Sequence, residues 1–228
     1  HLEPLQEFDL PVNKAALVVG GGPAGMTSAL GLANQGFEVY LLEKESELGG
    51  LTLIAAKAPG RDGFLDVQRY QAYQMKLLGV DVHLNTEATS DTVKAEKPDA
   101  VVLATGSLPI LPDIPGVEQP NVTEVRAVLS GKAEVGQNVL IIAGEQHIEA
   151  LSTADYLASQ GKTVHLVTEE HFAGSKVEPS TRTSLYQRLY QNHVDLVPCV
   201  AVKEISGNTV IGANAFTREE VRFENIDT

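Results

Sequence analysis

Three glycines and one glutamate have the clearest capacity for chemistry in this chain. Gly20, Gly22 and Gly25 stand in the spacing G-x-G-x-x-G, and Glu43 ends the next apolar run. In this pattern the first glycine allows a tight turn and the second lets backbone approach a pyrophosphate. The third lets a helix pack closely on a strand. The N–H groups that open such a helix make an anion site, and the carboxylate at the following strand end accepts hydrogen bonds from an adenosine ribose. Glycines alone also cluster in ordinary loops, so the flanking residues decide. Leu17, Val18 and Val19 form an apolar run without alternation, as in a strand buried on both faces. Pro23 suits a first helical turn, Gly36 ends that helix, and Val39-Tyr40-Leu41-Leu42 makes a second buried strand leading into Glu43. The stretch predicts a bound adenine dinucleotide.

Other chemistry is scarce. The single cysteine, Cys199, cannot form an internal disulfide. One thiol also cannot run paired-cysteine redox chemistry or by itself hold an iron–sulfur cluster. His147 and His193 lack partners at metal-ligand spacing, so no metal site is expected. No side chain reads as catalytic. Seventeen basic residues against 30 acidic ones give a net charge of −13, which argues against nucleic acid or an anionic membrane as partner. No apolar run is long enough to span a bilayer and no signal peptide opens the chain. Together these point to a cytoplasmic protein.

The elements that must position the glycines follow from the rest of the 228 residues, enough for one or two domains. Residues 1–13 show no clear period and read as a lead-in linker. Residues 45–52 read as a loop containing Gly49 and Gly50, and 53–63 as irregular. A helix is predicted over 64–78 with Phe64, Val67, Met75 and Leu78 on one face. Val80, Val82 and Leu84 alternate as a strand, 89–97 form a short polar helix, and 101–104 another buried strand. Four prolines within 107–120 mark a crossover linker. The expected division is 14–120 and 121–228.

Beyond the linker the pattern repeats. Val139-Leu140-Ile141-Ile142 reads as a buried strand, Leu157-Ala158-Ser159-Gln160-Gly161 parallels Leu32-Ala33-Asn34-Gln35-Gly36, and 163–168 parallels 38–43. A helix over 181–192, a strand from Val194 and a β-meander over 200–226 follow. The fold class is therefore α/β, with two Rossmann-like doubly wound domains, the second inserted into an incomplete first. The start of a further strand at 225–228 suggests a fragment of a larger enzyme. The second turn, 143–150, is longer and holds one glycine. Side chains at Ala143 and Glu145 would hinder a pyrophosphate, Glu145 and Glu149 would repel it, and Thr168 replaces the ribose carboxylate. NAD(P)H is not expected there.

Residues 20–25 with Glu43, Leu48-Gly49-Gly50-Leu51, 56–61, 97–106 and Leu129-Ser130-Gly131-Lys132 resemble one group of flavoenzymes. It is the C-terminal nucleotide-binding region of the 2,4-dienoyl-CoA reductase and trimethylamine dehydrogenase family of NADH:flavin oxidoreductases. The resemblance spans 14–228. It implies a glutathione-reductase-like fold and a preceding TIM barrel that carries FMN and an iron–sulfur cluster. One branch binds FAD at the first unit and NADPH at the second. The amine-dehydrogenase branch holds ADP at the first site, uses no nicotinamide, and passes electrons to an electron-transfer flavoprotein. Glu145, Glu149 and Thr168 place this chain nearer the second branch. Carried over, the resemblance puts Gly20, Gly22, Pro23, Ala24 and Gly25 around the pyrophosphate and Glu43 on the ribose. Lys44 edges the adenine, the Ala88 backbone meets it, Gly50 and Leu51 follow the ribityl side, and Ala104, Thr105 and Gly106 close the site. Arg61 is a candidate phosphate or flavin contact. FAD and ADP both stay open, since these residues read only the half the two ligands share.

Overall fold

The computed structural model describes residues 14–228, so the expected linker over 1–13 lies outside the described residues. Two compact units emerge. One comprises 14–56 and 62–108, the other 57–61 and 109–228.

The first unit alternates strands and helices: β1 (Ala15–Val19), α1 (Pro23–Asn34), β2 (Glu38–Leu42), α2 (Leu51–Ala55), α3 (Phe64–Leu77), β3 (Asp81–His83), α4 (Ser90–Glu96) and β4 (Ala100–Leu103). Its four strands are all parallel, in the order β3-β2-β1-β4. Ala16, Leu17 and Val18 are fully buried, as an unalternating central strand requires. Val18, Met26, Ala29, Leu41 and Met75 form the core between sheet and helices.

Three expectations are corrected here. The expected loop over 45–52 and irregular stretch over 53–63 are joined by the one-and-a-half-turn helix α2, which starts where Gly50 turns the chain at φ 51°. Helix α3 buries Met75, but Phe64, Val67 and Leu78 are exposed. Its inward row runs instead through half-buried Leu65, Gln68 and Ala72. Strand β4 is not buried: Leu103 is 74% and Val101 43% exposed, because β4 is the sheet's edge and those side chains share one uncovered face.

The second unit contains α5 (Val125–Leu129), β5 (Asn138–Ile142), α6 (Glu149–Ser159), β6 (Thr163–Val167), α7 (Pro179–Gln191) and β7 (Asp195–Val197). These are followed by the antiparallel meander β8 (Val200–Ser206), β9 (Thr209–Asn214) and β10 (Glu220–Phe223). Strands β5, β6 and β7 are parallel neighbours in that order, repeating the β1-β2-β3 relationship. Residues 109–120, expected to end the first domain, pack with this unit. Gln119 accounts for it: its Nε2 donates to the Ile205 carbonyl at 2.6 Å and its Oε1 accepts the Gly207 N–H at 2.9 Å. Ile205 N–H donates to the Pro115 carbonyl at 2.8 Å.

Candidate functional site

The turn between β1 and α1 assigns a different physical task to each fingerprint glycine. Gly20 has φ 106° and its N–H donates to the Leu42 carbonyl at 2.8 Å, tying the turn to β2. A Cβ there would run into the Ala104 carbonyl, and one on Gly25 would run into the carbonyl of Gly20. Gly22 is the contrast, since a Cβ on it would meet nothing. Space therefore lies open at the N-terminus of α1. Gly22 is also the N-cap, and supplies no side chain to take the first-turn N–H groups. Helices α4, α5 and α7 are capped by Thr89, Glu124 and Glu178. Uncapped donors, the positive end of a helix and clear space are the features that anion binding at a helix start requires.

Around this turn the structure gathers most of the residues expected from sequence. Pro23 and Ala24 are exposed on the first turn of α1. Gly49 N–H donates to the Gly21 carbonyl at 2.8 Å, and a Cβ on Gly50 would stand 3.1 Å from Gly22 Cα. That brings Gly50 and the exposed Leu51 alongside the fingerprint. The Glu43 side chain is buried, with Oε2 accepting the Gly21 N–H at 2.6 Å and Oε1 the Glu45 N–H at 2.8 Å. Lys44 beside it is exposed. Ala88 packs on Leu17, Val19 and Leu42. Ala104 N–H donates to the Val19 carbonyl at 2.8 Å, and exposed Thr105 and Gly106 continue past the sheet. Arg61 packs instead with the second unit. There burial pulls its guanidinium below the usual range while Glu149 pulls it back up.

The second turn is closed in the same way by backbone, with Ala143 N–H donating to the Val167 carbonyl at 2.8 Å. Beyond that the two turns differ. Glu145 and Glu149 face solvent. Gln146, which the sequence reasoning passed over, is 7% exposed and Thr168 4%. The one available signal was the extra length of the turn, which carries an uncharged amide two positions after its glycine. Among the described residues no cluster of His, Cys, Asp and Glu could hold a metal ion, and no helix is long and apolar enough to cross a membrane. Cys199 Sγ lies 3.8 Å from His171 Nδ1, half-buried between β7 and β8.

Known proteins resemble this chain over nearly all of its described length. The family model described as pyridine nucleotide-disulphide oxidoreductase matches residues 14–226. The chain is 37% identical over 198 residues to the N,N-dimethylglycine/sarcosine dehydrogenase of Chromohalobacter salexigens, covering 84% of this chain and 28% of that protein. It is 36% identical over 182 residues to an NADH oxidase of Thermoanaerobacter brockii, covering 78% and 28%. Among solved structures, a 2-naphthoyl-CoA reductase in complex with 2-naphthoyl-CoA superposes with a TM-score of 0.87 at 32% identity, covering 94% of this chain and 33% of that one. The chain thus spans a third or less of the length of these relatives. Like them, it has the mixed α/β fold of FAD- and NAD(P)-binding domains.

Proposed function

This chain belongs to the pyridine nucleotide-disulphide oxidoreductase family, and from that premise we propose that it is the nucleotide-binding, electron-transfer portion of a flavin-dependent oxidoreductase. In this reading the first unit holds the ADP half of FAD, or ADP itself. The open space before Gly22 at the uncapped start of α1 carries the proposal. The backbone N–H groups of Gly22, Ala24 and Gly25 take the diphosphate. Each Glu43 oxygen already accepts one backbone N–H and keeps a second lone pair for a ribose hydroxyl. Lys44 and the Ala88 backbone border the adenine, Gly50 and Leu51 the ribityl chain, and Ala104, Thr105 and Gly106 the closing side. When FAD is bound its isoalloxazine supplies the electron transfer, and the protein's part is to bind it, orient it and shield it from water. Substrate conversion belongs to other parts of the parent enzyme, a barrel carrying FMN and an iron–sulfur cluster, with an electron-transfer flavoprotein as acceptor.

Within the family the amine-dehydrogenase and demethylase side is favoured over the dienoyl-CoA-reductase side. The specific observation is the second turn, where Ala143 replaces the first glycine and Gln146 is folded inward. A non-redox role, with ADP as a structural ligand, is the second reading, since Glu43 and the glycines meet only the shared ADP half. An absorbance spectrum of purified protein separates them: bands near ~450 nm indicate flavin. Colourless protein that titrates with ADP indicates the structural role. Failure to bind either ligand overturns both.

A further inference from the structure

Between α7 and the edge of the β5-β6-β7 sheet the second unit contains a cavity of about 120 Å³. Its sheet side is apolar, with Leu166 of β6 and Leu196 and Val197 of β7. Its helix side is aromatic. Tyr186 and Tyr190 stand one turn apart on α7, their ring centroids 6.3 Å apart and their planes inclined at 57°. The Tyr186 hydroxyl donates to the Ala173 carbonyl at 2.9 Å. Phe172, also in the lining, lies under the Arg182 guanidinium at 4.7 Å, and His171 stacks on Phe216 at 5.6 Å. With its walls held by these contacts, the space is a built feature of the unit and not a gap between loose side chains. Exposed Phe172 and Tyr190 leave it open to solvent on one side.

Size and polarity define what fits. An apolar protein cavity of about 150 Å³ holds benzene, so this one is on the scale of a single aromatic ring. Among the described residues that line it there is no Lys, Arg, Asp or Glu. The Thr168 hydroxyl is used up: it donates to the Ala143 carbonyl at 3.3 Å and accepts Gln146 Nε2 at 3.1 Å and the Glu170 N–H at 3.3 Å. The His171 imidazole is engaged as well, with Nδ1 3.8 Å from the Cys199 thiol. Burial pushes the Tyr186 phenol above its usual range, so it stays neutral, and its oxygen keeps acceptor capacity beyond the bond it donates. Arg182 against Phe172 disfavours a second cation, and an anion would lose its water for no partner. Tyrosine faces and edges, by contrast, accept another ring in offset or edge-to-face contact.

We propose that this cavity is a binding site for a neutral, single-ring aromatic molecule with one hydrogen-bond donor, of which phenol is the simplest. A dinucleotide does not suit it, because no lining group answers a diphosphate. The site lies wholly within the second unit and is independent of the nucleotide reading of the first.

The full chain is titrated with phenol while its methyl resonances are followed by NMR. Those of Leu166, Leu196 and Val197 should shift along one saturable curve in the millimolar range, as the burial of one ring allows. Those of Val18 and Leu41 in the first unit should not move. Benzoate and benzylammonium, similar rings that carry charge, should bind at least tenfold more weakly. Tyr190→Ala removes one aromatic wall and should weaken phenol binding at least fivefold with Tm unchanged, while Leu196→Phe should fill the space and remove binding. Absence of a saturable shift at Leu166, Leu196 and Val197 overturns the site. Charged rings that bind as tightly as phenol overturn the ligand class. Unchanged phenol affinity in Tyr190→Ala, or in a folded Leu196→Phe protein, also overturns the proposal. If Leu196→Phe does not fold, Tyr190→Ala decides, since that side chain is 64% exposed and its loss spares the core.

Discussion

The Glu43 carboxylate at the end of β2 reaches back across 22 residues to accept the N–H of Gly21 at 2.6 Å, and so ties the fingerprint turn to the strand end. With the proposed nucleotide bound at this turn, binding and local stability should be coupled through this one side chain. Glu43→Ala leaves a buried N–H without an acceptor and should cost roughly 1–3 kcal/mol of stability, with a similar loss in ADP affinity. Glu43→Gln, which keeps an acceptor, should recover most of the stability. Thermal unfolding and ADP titration of both variants measure this, and an unperturbed Glu43→Ala protein would contradict it.

The glycines should separate folding from binding. Gly22→Ala places its methyl in empty space, so stability should change by less than about 1 kcal/mol, the scale of an N-cap exchange. Adenine-nucleotide affinity should still fall about tenfold or more, roughly 1.4 kcal/mol, because the methyl stands where backbone must meet phosphate. Gly22→Glu should abolish binding. Gly25→Ala forces Cβ onto the Gly20 carbonyl and should destabilise the first unit by roughly 1–3 kcal/mol or more. Paired denaturation and titration curves distinguish the two patterns.

Acid should loosen the start of α7. Glu178 is its N-cap, and the Ser180 hydroxyl together with the Thr181 and Ser180 N–H groups hold its carboxyl down at about 2, from an ordinary 4.5. A depressed folded value means the contribution is complete above 4.5 and is lost as pH falls from there through about 2. Glu178→Gln should flatten that part of the helical signal's acid titration while leaving neutral-pH behaviour nearly unchanged. An identical acid profile in the variant would refute the assignment.

Asp155 is 1% exposed on α6 and is met by Arg188 Nε of α7 at 2.8 Å. Its Oδ1 has no partner among the described residues. Removing the arginine strands a buried charge, so Arg188→Met should destabilise by about 3–5 kcal/mol. Adding Asp155→Leu should restore most of that loss. Chemical denaturation of the single and double variants provides the cycle, and additive losses would show that the pair is not coupled.

The parts of the site legible in sequence are those whose cause is local. Gly20, Gly22 and Gly25 act through their own backbone and the next turn, and the unalternating Leu17, Val18 and Val19 announce a strand covered on both sides. What sequence missed depends on distant chain. Leu103 matches a buried-strand pattern, but its exposure is set by which strands lie beside it in the sheet. Phe64 and Val67 fit an apolar helical face, yet the inward face of α3 is chosen by where α1 lies. Gln146 looked like filler in a long turn. Its burial depends on the path of residues 168–176, which brings Gly174 to a side chain 28 positions earlier.

The solitary thiol has a practical use. Because Cys199 is the only cysteine in the chain and is half-buried in the second unit, a maleimide fluorophore can go to one address without mutagenesis. Its emission would report melting of the second unit, while a flavin bound as proposed would report the first. Whether the two nucleotide-type units unfold together or one after the other thus becomes a two-colour measurement on the natural sequence.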